Sequence, residues 1–250
     1  MPTTPSRRNT APQPRHVVQF SGGVGSFLTA LHVARTHGTD RMTLLIADTG
    51  IEDEDLWRFS DDTAALLNVP LTIVRDGRTP WEVFHDRRFL GNDRLAPCTT
   101  VLKQLPCRAW MERHAPADRA IVYVGIEPTA RDRARTPAIV RNWAPWPVEF
   151  PLTAGPDRTK QQLLDEVRAT GVRPPRLYDL GFSHNNCGGT CVRAGQRQWK
   201  LLRDVLPDRF DRAAIEEFKL RALLGDVAIL RDRRGGTVRP LPLTELRDRP

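Results

Sequence analysis

The densest chemistry in this chain lies in residues 177–191, Leu-Tyr-Asp-Leu-Gly-Phe-Ser-His-Asn-Asn-Cys-Gly-Gly-Thr-Cys. Two thiols (Cys187 and Cys191), an imidazole (His184), two amides and three glycines are poor material for a core. They are instead metal ligands, thiol nucleophiles and tight-turn formers. Three uses stay open. With Cys98, and with Cys107 or His184 as a fourth ligand, Cys187 and Cys191 can hold an iron–sulfur cluster or a zinc ion. They can form a redox pair that carries or resolves a persulfide, the thiolate being the nucleophile. Or they are inert, and the glycines mark only a turn. Cys107, nine positions after Cys98 on an expected helix, faces another way and is the weakest ligand of the four cysteines.

The second chemical stretch is Ser21-Gly22-Gly23-Val24-Gly25-Ser26, between an apolar strand (residues 17–20) and a helical pattern (residues 27–34). A glycine loop between strand and helix is an anion site. Glycine lets the backbone approach a ligand, and the first N–H groups of a helix have no internal partner. Ser21 and Ser26 add hydroxyl donors at the two ends. The loop lacks the lysine of a P-loop, and Leu28 stands where a dinucleotide fingerprint needs its third glycine.

These residues need a scaffold, and the chain supplies one. Thr43 to Ala47 is a continuous apolar run suited to a strand buried on both faces, and it ends at Asp48-Thr49-Gly50. A helix opens at residues 52–55 with acidic residues in its first turn. Strands follow at 71–74 and 120–124, and the second of these delivers Gly125, Glu127 and Arg133. Strands alternating with helices predict a parallel sheet whose ligands gather at the carboxyl ends of the strands. Between them, Cys98 to Pro106 predicts a helix that carries Lys103 and is capped by Thr99. Helices are expected at 159–169, 196–206 and 211–224, then a terminal hairpin around Gly235-Gly236. The expected domains are a disordered basic tail (1–15), a nucleotide-binding α/β domain that includes the cysteine loop (16–205), and a helix and hairpin extension (206–250).

Together these motifs resemble the PAPS reductase-like branch of the adenine nucleotide α-hydrolase-like (PP-loop ATP pyrophosphatase) superfamily. The glycine loop is similar to the family's Ser-Gly-Gly-x-x-Ser, residues 48–52 to its Asp-Thr-Gly-x-Glu, and residues 184–191 to the His-Asn-Asn-Cys-Gly-Gly-x-Cys of a phage and bacterial branch. The resemblance covers roughly residues 17–199. It implies a Rossmann-like (HUP-type) parallel sheet with helices on both faces. It also implies that Ser21, Gly22, Gly23, Val24, Gly25, Ser26, Asp48, Thr49, Gly50, Gly125, Glu127 and Arg133 bind ATP or a related adenine nucleotide. Lys103 then faces the phosphates, and Asp48 holds Mg2+ or the ribose. Attack on the α-phosphate releases pyrophosphate, and sulfur reaches the adenylated intermediate through Cys187. Cys98, Cys187, Cys191 and His184 are the ligand set for a metal.

The chain departs from the family at three places. Gly25 replaces the aspartate common before the last loop serine, Ala130 stands where an acidic residue is expected, and the Glu-Cys-Gly-x-His ending of PAPS reductases is missing. Two other readings therefore stand beside the first: a reductase acting on an adenylyl sulfate-like compound, and a non-catalytic nucleotide- or nucleic-acid-binding protein with a structural metal.

Composition bounds the partners. The formal charge is +8, and only four of the 38 basic residues are lysine. The arginines are scattered, which suits a solvated surface as well as a polyanion groove, so a nucleic-acid acceptor is one expectation and a sulfur donor protein another. No apolar run approaches a membrane span and no signal-peptide core is visible, so no membrane association and a cytoplasmic setting are expected. The oligomeric state is left open.

Overall fold

The computed structural model describes residues 13–249; most of the expected tail thus lies outside the described residues. The first half alternates as expected: β1 (Arg15–Gln19), α1 (Val24–His37), β2 (Met42–Asp48), α2 (Glu54–Leu67), β3 (Leu71–Arg75), α3 (Pro80–Arg87). A π-helical segment (Thr99–Gln104) then runs into α4 (Leu105–His114), followed by β4 (Ala120–Val124), α5 (Ala130–Arg133), α6 (Thr136–Trp143) and β5 (Val148–Glu149). The five strands form one parallel sheet in the order β3-β2-β1-β4-β5. The order reverses between β1 and β4, the switch point at whose strand ends such sheets place their ligands.

Side-chain alternation splits the sheet's two faces. Val18, Leu44 and Ile46 meet Phe27 and Leu31 of α1, Leu56 and Phe59 of α2, and Leu163 and Val167 of α7 (Lys160–Arg168). Their neighbours Val17, Leu45 and Val122 turn the other way, onto Cys107 and Met111 of α4 and onto Trp143 and Trp146. Such a sheet needs apolar residues at successive positions, which is why β2 reads as a continuous run. Each fully buried Leu or Phe is worth about 1.5–3 kcal/mol.

The remainder forms a second core beside the carboxyl edge. It comprises α8 (Arg176–Asp179), α9 (Gln196–Val205), α10 (Pro207–Leu224), the antiparallel pair β6 (Leu230–Asp232) and β7 (Arg239–Leu241), and α11 (Leu243–Arg247). Trp199, Leu202, Phe210, Leu220, Leu243 and Leu246 pack there with Trp81 and Phe84 of α3 and with Leu177 and Phe182. The cysteine loop runs between the two cores. The 1% exposed Glu217 anchors the C-terminal segments by accepting the backbone N–H groups of Ile229 (2.9 Å) and Leu243 (2.5 Å).

One local expectation is corrected. Thr99 caps no α-helix: it begins the π-helical segment, whose N-terminal boundary residue is Cys98 and makes no side-chain cap bond. The wider π turn is the kind of irregularity that re-aims side chains near functional sites.

Candidate active site: a glycine loop and a thiol pair in one crevice

The glycine loop joins β1 to α1, as its sequence implies. Gly22 has φ +67°, and a Cβ there would sit 2.5 Å from Leu56 Cγ, so only glycine fits. Gly23 is the N-cap of α1, and the first turn carries no acidic residue to offset the helix dipole. Ser26 Oγ donates to Gly23 O at 2.8 Å and lies 3.3 Å from Ser21 Oγ. Gly25 meets the loop after β4: a Cβ on Gly125 would lie 2.6 Å from Gly25 C and 2.7 Å from Ser26 N. The loops after β1 and β4 thus touch backbone to backbone at the switch point.

Glu127 follows. Its Cγ is 3.5 Å from where a Gly25 Cβ would stand, and its carboxylate is paired with Lys160, the first residue of α7. Lys160 Nζ also lies 5.4 Å from the centre of the Tyr178 ring, and Tyr178 Oη accepts the Val24 N–H at 3.3 Å. Arg133 points elsewhere, donating to Thr153 O and Gly155 O and pairing with Asp157.

The Asp48-Thr49-Gly50 turn lies at the end of β2. Asp48 is occupied locally, taking the Gly50 N–H at 2.8 Å and Arg75 Nε at 2.7 Å. Each carboxylate oxygen thus already has one partner. Thr49 turns inward, 1% exposed, and donates to Glu52 Oε1 at 3.0 Å.

Glu52 is the hub. Its side chain is 4% exposed; Oε1 also takes Lys103 Nζ at 3.3 Å, and Oε2 takes the Cys187 N–H at 2.6 Å. Lys103 therefore comes from the π-helical segment into contact with the β2 turn and the cysteine loop. Burial pulls its pKa down, but Glu52, Cys187 and Cys191 outweigh that and hold it raised.

The cysteine loop is fixed to the glycine loop by Asn185, 2% exposed, whose Nδ2 donates to Gly22 O at 2.8 Å. Cys187, Gly188 and Gly189 are all left-handed, with φ of +52°, +56° and +90°. For Cys187 that conformation is uncommon, and it is held by the Glu52 contact and by Thr190 Oγ1, which donates to Cys187 O at 2.6 Å. The two cysteines influence one another: their interaction raises the Cys187 thiol and lowers Cys191 below the ordinary thiol range, with Lys103 favouring both thiolates. Burial and the nearby Cys191 push Cys98 up. Burial, Lys160 and Lys103 keep the His184 imidazole neutral, and its Nδ1 accepts the Asn186 N–H at 3.4 Å. Cys107 lies in the core behind the sheet, where burial raises its pKa to about 12.

The donor set does not suit a metal centre. Among the described residues no three His, Cys, Asp or Glu side chains come together to hold an ion. His184 Nδ1 accepts a backbone N–H.

The structure thus gathers Ser21 to Ser26, Gly125, Glu127, Thr49, Lys103, Asn185, Cys187 and Cys191 at one edge of the sheet. Four contributors had no role assigned from sequence: Glu52, Lys160, Tyr178 and Asn185. Glu52 was visible as the last residue of Asp-Thr-Gly-x-Glu. Asn185 was visible inside His-Asn-Asn-Cys-Gly-Gly-x-Cys, whereas Lys160 and Tyr178 act through contacts between distant segments, for which no local pattern exists.

No helix among the described residues is long and apolar enough to cross a membrane. No protein-family model matches the chain, and no curated protein does. Among solved structures it is similar to a phosphoadenylyl-sulfate (PAPS) reductase from Candida auris in a phosphate complex. The two share 15% sequence identity over 70% of this chain and 80% of that chain, with a TM-score of 0.45. The chain has, on its own strand order, a five-stranded parallel α/β sheet.

Proposed function

We propose that this chain is an enzyme that binds an adenine nucleotide on the glycine loop and carries out sulfur chemistry on it through Cys187 and Cys191. One observation carries the reading: the glycine loop and the cysteine loop are held side by side, Asn185 bonded to Gly22 and Cys187 to Glu52. An anion-binding loop alone suits any nucleotide protein, and a thiol pair alone suits any redox protein. Their contact is what joins phosphate and sulfur.

In the mechanism this supports, the N–H groups at the start of α1, Ser21 and Ser26 hold the phosphates of ATP, and Lys160 adds positive charge from α7. A substrate oxygen attacks the α-phosphate and pyrophosphate leaves. A sulfur nucleophile, delivered at the cysteine loop, then displaces AMP from the adenylated product. Lys103, held by Glu52, stabilises negative charge on the sulfur instead of on the phosphates.

A second reading, reduction of an adenylyl sulfate-like compound, draws on the two cysteines of one loop, because two thiols hold the two electrons such a reduction consumes. Incubation with ATP or with an adenylyl sulfate separates the two. Pyrophosphate and AMP from ATP support adenylation; sulfite from the sulfate ester supports reduction. Absence of binding to either nucleotide rejects both.

A further inference from the structure

We infer that the Tyr178 hydroxyl is a phosphate ligand of the glycine loop, taking the Val24 N–H on its oxygen and giving its own O–H to a bound phosphate. This deepens the reading above and rests on it for the ligand, a phosphorylated nucleotide.

Some of the donors at the start of α1 are already engaged inside the protein. The Gly23 N–H goes to Ser26 Oγ at 3.3 Å and the Val24 N–H to Tyr178 Oη at 3.3 Å, which leaves Gly25 and Ser26 with N–H groups that meet no acceptor among the described residues. Tyr178 accepts the Val24 N–H on a lone pair and keeps its own proton, for which no acceptor stands among the described residues either. The hydroxyl borders the loop itself: a Cβ on Gly23 would lie 3.2 Å from Tyr178 Oη and 3.7 Å from Ser21 Oγ, so both hydroxyls flank the N-cap of α1. An O–H that accepts from a helix N-terminus is polarised by it and becomes the stronger donor.

The surroundings keep the phenol in that role. Its ring packs on the core beneath α1, and Lys160 Nζ, 5.4 Å from the ring centre, adds positive charge beside it. Burial raises the pKa of the phenol, so it holds its proton at neutral pH. A separate observation points to a ligand at the same loop. Asn185, 2% exposed, gives its Nδ2 to Gly22 O, and its Oδ1 has no partner among the described residues. A buried open acceptor is the complement of a hydroxyl or amino donor, which a nucleotide brings along with its phosphates.

The test uses the full chain carbon-labelled at tyrosine Cζ, titrated with inorganic pyrophosphate, ATP and adenosine and followed by NMR and calorimetry. The chain has only two tyrosines, and Tyr123, fully buried and bonded to His16, is the internal reference. The expected result is that pyrophosphate and ATP shift the Tyr178 signal and leave Tyr123 unmoved. In Tyr178→Phe both ligands bind about tenfold more weakly, as the loss of a hydrogen bond to a charged group requires, and adenosine binding changes by less than about twofold. Because the shift is read in the unsubstituted protein, it decides the matter even where Tyr178→Phe folds poorly. Pyrophosphate that binds without moving the Tyr178 signal, or that binds Tyr178→Phe as tightly as the parent, overturns the role. A protein in which pyrophosphate moves Tyr178 yet ATP does not bind upholds the hydroxyl and contradicts the nucleotide reading; ATP binding with Tyr178 unmoved does the reverse, and binding of neither ligand overturns both.

Discussion

The backbone N–H of Cys187 donates to Glu52 Oε2 at 2.6 Å, joining the turn after β2 to the cysteine loop across 135 positions of sequence. Through Oε1 the same carboxylate holds Lys103 and Thr49. One buried group thus sets the position of a thiol, an ammonium and a strand-end turn.

Replacing Glu52 should therefore loosen all three. Glu52→Ala leaves the Cys187 N–H and the Lys103 ammonium without their acceptor; because Lys103 is a third exposed, the cost is about 1–3 kcal/mol. Thermal unfolding should show it, with a smaller loss for Glu52→Gln, which keeps one acceptor oxygen. An unchanged melting temperature in Glu52→Ala would remove Glu52 as the hub.

Gly125→Ala tests the junction of the two loops. Its new methyl would fall 2.6 Å from Gly25 C, against backbone that cannot swing aside. The expected cost is about 1–3 kcal/mol, together with weakened ATP binding as the glycine loop shifts. Gly195→Ala, where nothing lies within 4 Å, is the control and should bind ATP as the parent does. Equal affinity in both variants would contradict the junction.

The thiol pair makes a pH prediction. The neighbouring Cys187 and the charge of Lys103 lower Cys191 below the ordinary thiol range of about 8.5. Its alkylation should be half-maximal at a correspondingly lower pH in a Cys98→Ser, Cys107→Ser background. Lys103→Met should move that midpoint upward. Because the folded pKa is depressed, the thiolate contributes stability above the unfolded pKa, and this is lost as pH falls through the folded value. A midpoint unmoved by Lys103→Met would show that the ammonium does not act on the thiol.

A further prediction concerns the frame around the site. Asp53, the N-cap of α2, is fully buried; burial favours its neutral form, but Arg176 and Arg209 outweigh that and hold its pKa down. Arg209 also donates to Gly188 O at 3.1 Å, so the pair braces the cysteine loop from α10. Asp53→Asn removes one of the two carboxylates that hold Arg176 and Arg209, Glu54 remaining on both, and should cost about 1–3 kcal/mol. The contribution of Asp53 is present above its unfolded pKa of about 3.9 and lost as pH falls through the lower folded value. Urea unfolding at pH 7 and pH 3 checks this: the gap between parent and Asp53→Asn should narrow in acid.

Much of the fold was legible because a parallel sheet writes itself locally. The apolar runs at 43–47, 71–74 and 120–124 are strands within one or two residues, and the glycine loop lies between β1 and α1. The terminal hairpin exists, with β6 and β7 paired antiparallel on either side of Gly235-Gly236. The π-helical turn at Thr99–Gln104 was not legible, because its side-chain pattern is that of an ordinary helix. Nor was the division of labour among charged residues. Lys103 reads as a phosphate ligand from its neighbours in sequence, and its partner Glu52 is brought to it only by the sheet order. Arg133 follows β4 as a nucleotide ligand would, but its guanidinium is taken up by residues 153–157.

The most direct test of the central claim, that the phosphate loop and the thiol pair are one site, is the rate of Cys191 alkylation with and without saturating MgATP. The account predicts that nucleotide slows alkylation of Cys191 about tenfold or more, a difference of about 1.4 kcal/mol or more, and that Gly22→Ala abolishes the protection. If ATP binds with measurable affinity and the alkylation rate does not change, the nucleotide and the thiols occupy separate places and the account is contradicted.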